Sequence, residues 1–220
     1  MSDPSDMQAY YARRALEYER IYHKPERMVD LAELRVQLPL LLRGCDVLEL
    51  ACGTGYWTRF VALEARTVTA LDINEAVLNI ARSKTYPRRN VQFAIGDAYA
   101  PAVSGVFDGG LAAFWFSHVP RQRQDEFLRA LHACLQPGAR VVLLDNAYVE
   151  GSSTPISRVD TDGNRYQLRP LDDGSQYEVI KNFPSEDELR ALLSSLWHDA
   201  RLPASAVLLV MQLPACLSIR

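Results

Sequence analysis

The sequence lacks any run of about 18 apolar residues, the least that would span a bilayer. Met1 to Met7 is polar and acidic rather than basic and then apolar, so neither a spanning helix nor a standard secretion signal is expected. Cysteine is scarce. Cys45, Cys52, Cys134 and Cys216 show no C-x-x-C spacing and no adjacent histidine pair, which leaves a zinc knuckle or disulfide framework without support and fits a reducing, cytoplasmic setting. Positive charge is not in excess either. Lys and Arg number 24 against 27 Asp and Glu, a net charge of −3, the wrong sign for a domain that binds nucleic acid through counterion release. No Asp/Asn cluster has the spacing of a divalent-ion site, so no metal is expected. What is present, 220 residues at 48% hydrophobic, suffices for one domain with one core.

Aromatic and aliphatic residues recur at helical spacing near the start, predicting helices over about residues 8–22 and 25–42, the second opened by Pro25. The pattern then changes. Short apolar runs at 46–50, 68–72, 91–95, 107–114 and 140–144 alternate with helical stretches at 57–63, 74–83 and 121–135. Asn74 stands as an N-cap, and Pro137-Gly138 as a stop. Strands alternating with helices predict a parallel, doubly wound sheet. Beyond Asp145 the alternation breaks into a Ser-, Asp- and Gly-rich segment. Its pieces 165–169 and 176–181 read as a solvated antiparallel pair, before a helix at 185–196 and a final strand at 206–213.

Gly53-Thr54-Gly55 follows the first strand, where glycine permits special torsions and the close approach of a ligand. Thr58 occupies the place of the third glycine of a dinucleotide fingerprint. Glu49, four residues before Gly53, would repel a pyrophosphate and favour a ligand carrying an ammonium and a sulfonium. Asp72, ending the second strand, suits a ribose diol, and Asp97, ending the third, suits an adenine amine. Each has a plainer reading: Glu49 capping amides, Asp72 favoured at a helix start, and Asp97 in a turn.

At these residues the sequence resembles the class I S-adenosylmethionine-dependent methyltransferases. Val47-Leu48-Glu49-Leu50-Ala51-Cys52-Gly53-Thr54-Gly55 is similar to their first motif, and Leu71-Asp72-Ile73-Asn74 to their second. Ile95-Gly96-Asp97-Ala98 resembles their adenine-contacting segment, and Phe107-Asp108 and Leu135–Ala139 resemble the elements around their fourth and fifth strands. The resemblance implies a Rossmann-like seven-strand sheet, mostly parallel with the last strand antiparallel. An N-terminal helical lid (1–42), a cofactor-binding core (43–150), a β-hairpin insertion (151–183) and a terminal helix and strand (184–220) would make up a single domain. It further implies S-adenosylmethionine as cofactor and S-adenosylhomocysteine as product. Glu49, Gly53 and Gly55 would face the methionine part, Asp72 the ribose, and Asp97 and Ala98 the adenine, and Ala51, Ile73, Tyr11, Arg14 and Phe114 would complete the cofactor site.

Methyl transfer asks the protein to align a nucleophile and, where needed, to remove its proton. His118, in Phe114-Trp115-Phe116-Ser117-His118, is the general-base candidate, with a packed histidine as the other reading. Tyr18, Trp115, Asn146 and Tyr148 are the substrate candidates, Trp115 and Phe116 being equally suited to a core. The expected function is methyl transfer to an oxygen or nitrogen of a small molecule, without nucleic-acid or membrane partners. Alternatives are a non-methyl-transferring enzyme of this fold, a cofactor-binding module, and an NAD-linked oxidoreductase, the last opposed by Glu49 and Thr58.

Overall fold

A computed structural model describes residues 4–23, 25–151, 153–197 and 207–213. The chain opens with α1 (Pro4–Arg14), two 3-10 turns (Tyr18–His23 and Pro25–Arg27) and α2 (Met28–Leu41). Then follow β1 (Asp46–Leu50), α3 (Thr58–Glu64), β2 (Thr67–Asp72), α4 (Glu75–Ser83), β3 (Val91–Ile95) and β4 (Phe107–Ala113). Short 3-10 turns at Phe116–His118 and Arg121–Arg123 lead into α5 (Gln124–Ala133) and β5 (Leu135–Asn146). The remainder is β6 (Arg158–Val159), β7 (Arg165–Pro170), β8 (Gln176–Ile180), α6 (Glu186–Trp197) and β9 (Val207–Leu213).

Alternate residues of each central strand enter different cores, because successive side chains of a strand point to opposite faces. Val47, Leu111, Val142 and Leu144 join Leu34, Leu38 and Val61 on one side. Leu48, Ala112, Val141 and Leu143 join Phe127, Leu128 and Leu131 of α5 on the other. Covering both faces explains why β1, β4 and β5 read as near-continuous apolar runs. At the start of α4, Asn74 Oδ1 accepts from the Ala76 amide at 3.0 Å, the N-cap the sequence predicts.

The seven-strand sheet with an antiparallel last strand is not what forms. Five parallel strands, in the order β3-β2-β1-β4-β5, make the sheet through residue 146, and β9 adds a sixth beside β5, also parallel. The chain leaves β5 and returns through α6, and a crossover through a helix brings a strand back in parallel. Residue 206 of the expected last strand lies outside the described residues, as does Cys216. The expected hairpin is a separate antiparallel sheet, β6-β7-β8. Pro137-Gly138, expected as a stop, lies within β5.

The expected helix over 8–22 is also interrupted. It ends at Arg14, and the bend that follows lays the Tyr22 ring on Tyr56 at 3.8 Å, a stack deep in the core. Among the described residues no helix is long and apolar enough to cross a membrane.

Candidate active site

The carboxyl ends of β1 and β2 are tied together by the backbone that follows them. Cys52 N donates to Leu71 O at 2.9 Å, and Asp72 accepts from Gly53 N through Oδ2 at 2.8 Å and from Asn74 N through Oδ1 at 2.9 Å. Burial raises the Asp72 pKa, and these amides oppose the shift. Three residues of the turn have positive φ: Ala51 at 54°, Gly53 at 56° and Gly55 at 72°. A Cβ on Gly55 would lie 2.5 Å from Tyr86 Oη, whereas one on Gly53 would meet nothing within 4 Å. Gly53 therefore leaves an open approach to the backbone. Ala51, which is not glycine, holds a left-handed conformation at a strand end, where such strain commonly marks a functional site.

Glu49, in β1, is 1% exposed, and among the described residues its Oε2 has no hydrogen-bond partner. Burial pushes its carboxyl up to about 8, with Thr58 opposing and the charge on Asp72 reinforcing the shift. A buried carboxyl oxygen without a donor is costly and calls for a cationic or donor group. Further along, Asp97 is exposed at the end of β3 and accepts from Tyr99 N at 2.9 Å, while Ala98 is buried and Ile73 half-exposed.

A second feature is a cavity of about 260 Å³. Tyr10, Tyr11, Arg14 and Tyr18 of the N-terminal segment line one side, Phe114, His118 and Asn146 the region beyond the strand ends, and Gln167, Arg169 and Lys181 the small sheet and the residue after it. Phe114 has φ 59° and donates its amide to Leu144 O at 2.5 Å. The small sheet is anchored by Asn182, whose amide donates to Ser117 O at 2.7 Å and whose Nδ2 donates to Val119 O at 3.0 Å. Lys181 is buried and pairs with Asp145 at 3.0 Å, and it also donates to Ser117 Oγ. Arg14 lies 5.6 Å from the ring centroids of both Tyr10 and Tyr18.

The sequence candidates thus fall into two groups. Glu49, Ala51, Gly53, Gly55, Asp72 and Ile73 gather at the ends of β1 and β2, with Asp97 and Ala98 at the end of β3. Tyr11, Arg14, Tyr18, Phe114, His118 and Asn146 share the cavity. Trp115 and Tyr148 do not line it. Trp115 packs against the α5 core, and Tyr148 packs edge-on to Phe183 at 5.3 Å. Phe116 is fully buried against Phe127 rather than walling a substrate.

A family profile described as "Methyltransferase domain" matches residues 47–138, from β1 into β5. A demethylmenaquinone methyltransferase of Staphylococcus epidermidis is 31% identical over 131 residues, 57% of this chain and 51% of that protein. The match therefore spans about half the length of that relative. A Pseudomonas aeruginosa protein named ubiquinone/menaquinone biosynthesis C-methyltransferase UbiE is 30% identical, over 74% of this chain and 69% of its own length. The chain belongs to the class I S-adenosylmethionine-dependent methyltransferases. Among solved structures, the DhpI-SAM-HEP complex superposes with a TM-score of 0.71 at 32% identity, covering 87% of each chain.

In this methyltransferase chain, Arg27, Arg169 and Lys181 are cavity residues that the sequence reading missed. Arg169 and Lys181 lie on strand pieces whose alternation resembles a solvated hairpin. Their only signal was a recurrence of basic residues along that hairpin.

Proposed function

We propose that the chain transfers a methyl group from S-adenosylmethionine to a small-molecule acceptor, at oxygen or nitrogen, leaving S-adenosylhomocysteine. The observation that carries this reading is the buried, partnerless Oε2 of Glu49 beside the open face of Gly53. The chemistry fits: a cationic ligand end would satisfy Glu49, and a ligand backbone could pass over Gly53 without meeting a Cβ. Residues 1–220 would act as a single domain.

Glu49, Ala51, Gly53 and Gly55 would hold the methionine end. Asp72 would take the ribose hydroxyls on the lone pairs that its two amides leave free, with Ile73 alongside. Asp97 and Ala98 would contact the adenine. Tyr11, Arg14 and Phe114 would close the site towards the cavity, where Tyr18 and Asn146 would meet the acceptor. When bound, the cofactor supplies a methyl group on a sulfonium leaving group. The protein's part is then to align the acceptor behind that methyl and to exclude water.

The Pseudomonas aeruginosa relative is named a C-methyltransferase, but this cavity is lined largely by arginine, lysine, tyrosine, glutamine and asparagine. That lining suits a polar acceptor with a heteroatom nucleophile better than a long apolar one. Methyl turnover on paired alcohols, amines, carboxylic acids and quinones tests the reading. Transfer to an oxygen or nitrogen is expected. Stabilisation by NADH, with none by S-adenosylhomocysteine, would overturn it.

A further inference from the structure

The cavity carries a charge imbalance at odds with the acidic chain around it. Arg14, Arg27, Arg169 and Lys181 all line it, and among the described residues no Asp or Glu does. Only Lys181 has a carboxylate partner among the described residues, Asp145 at 3.0 Å. Four cations less one paired anion leave three positive charges facing one small space. Arg14 is held over tyrosine faces, and Arg169 gives Nη2 to Gln167 Oε1 at 2.6 Å while its buried Nε has no partner among the described residues. Like charges so arranged repel one another, and a guanidinium N–H buried without an acceptor is costly.

We propose that this cavity binds an oxyanion, and that the methyl acceptor is a small anionic molecule such as a carboxylate or a phosphorus oxyacid. This rests on the methyl-transfer reading above and deepens it. One carboxylate from the cofactor's methionine end would answer one of the three charges and leave the others unmet. An acceptor anion answers them, and the fork of a guanidinium suits its oxygens. Tyr11, Tyr18 and Asn146 add neutral hydrogen-bonding groups on the same wall.

The chemistry asks no proton transfer of His118, whose Nε2 lies 2.9 Å from Tyr11 Oη. An anionic oxygen already has its nucleophilic electron pair free, so no proton need be removed. The acceptor oxygen forms the new O–CH3 bond as the S–CH3 bond breaks with its electron pair left on sulfur. The negative charge of the oxygen and the positive charge of the sulfonium cancel in the products.

The test uses the full chain saturated with S-adenosylhomocysteine and titrated calorimetrically at constant ionic strength with inorganic phosphate, propionate and 1-propanol. Phosphate or propionate is expected to bind and 1-propanol not to, and which of the two anions binds identifies the class. Arg169→Gln and Arg27→Gln should each weaken the anion by about tenfold while changing S-adenosylhomocysteine affinity by less than about twofold. Equal binding of 1-propanol and the anions would overturn the proposal. So would anion binding that S-adenosylhomocysteine abolishes, which would assign the cations to the cofactor carboxylate. Tight S-adenosylhomocysteine binding with no anion binding would sink the anionic acceptor alone. Failure of S-adenosylhomocysteine itself to bind would sink the methyltransferase reading beneath it.

Discussion

Tyr11 Oη lies 2.9 Å from His118 Nε2, and His118 Nδ1 lies 2.7 Å from the carbonyl oxygen of Ile180. A carbonyl only accepts, so Nδ1 carries the proton and Nε2 accepts from the tyrosine. Burial drives the imidazole pKa well below its ordinary value, with Lys181, Arg169 and Arg14 adding to the shift and the Ile180 carbonyl opposing it. Below the unfolded histidine pKa of about 6.5 the unfolded chain then binds the extra proton, so stability is lost as pH falls through that value. Melting temperatures of the wild type and His118→Gln across that range should diverge, the wild type losing more on acidification. Parallel curves would refute a buried neutral His118. The rate of methyl transfer should show no histidine inflection between about pH 6 and 8.

Glu49 is displaced the other way, to about 8, chiefly by burial. A cation bound beside it would lower that value, so binding would release a proton, and affinity should rise with pH up to about 8 and then level. The amine of S-adenosylmethionine titrates nearby, so the comparison is between the wild type and Glu49→Gln. The variant should bind more weakly at pH about 8, with the gap narrowing towards pH 6, where Glu49 is already protonated. Calorimetry in two buffers of different ionisation enthalpy counts the released proton. An equal count in both proteins would show that Glu49 is not the group concerned.

How far the sequence discloses this arrangement depends on how local each determinant is. The Asp46–Leu50 and Thr67–Asp72 strands, the turn with Gly53 and Gly55, and the Asn74 cap are legible because torsion and burial leave their mark in consecutive residues. The direction of Val207–Leu213 is set by the crossover before it, which apolar periodicity does not encode. Arg27 meets Arg169 and Lys181 because the N-terminal segment folds back onto the small sheet, as the Tyr10 and Tyr177 rings 5.6 Å apart record. Taken singly in the sequence, each reads as a solvated charge.

Asp72 holds the turn and is proposed to hold the ribose, and these two roles separate by substitution. Asp72→Ala strands the amides of Gly53 and Asn74, a loss of roughly 1–3 kcal/mol for each group left unsatisfied. Asp72→Asn keeps one acceptor oxygen and should lie between the two in melting temperature. S-adenosylhomocysteine affinity should fall by about tenfold or more in both variants, because neither retains a carboxylate for the diol. Full affinity in Asp72→Ala would remove the ribose assignment.

Glu19, in the N-terminal segment, accepts from Thr54 Oγ1 at 2.6 Å, and Lys84 donates both to Glu19 and to Thr54 O. The N-terminal segment is thereby pinned to the middle residue of the glycine turn, and we propose that it serves as a lid. Partly exposed ion pairs contribute little to global stability, about 1 kcal/mol or less, so Glu19→Ala should shift the melting temperature only slightly. Its effect should instead be local, because the contact ties one segment to another rather than holding the core. Amide exchange over residues 4–23 should quicken, and S-adenosylhomocysteine should dissociate several-fold faster with little change in its association rate. Thr54→Val removes the hydroxyl and keeps the lysine pair, so a smaller change in the same direction is expected. If exchange over residues 4–23 in Glu19→Ala matched the wild type, the tether would have no part in holding this segment down, and its other contacts, such as Tyr22 on Tyr56 and Tyr11 on His118, would hold it without the tether.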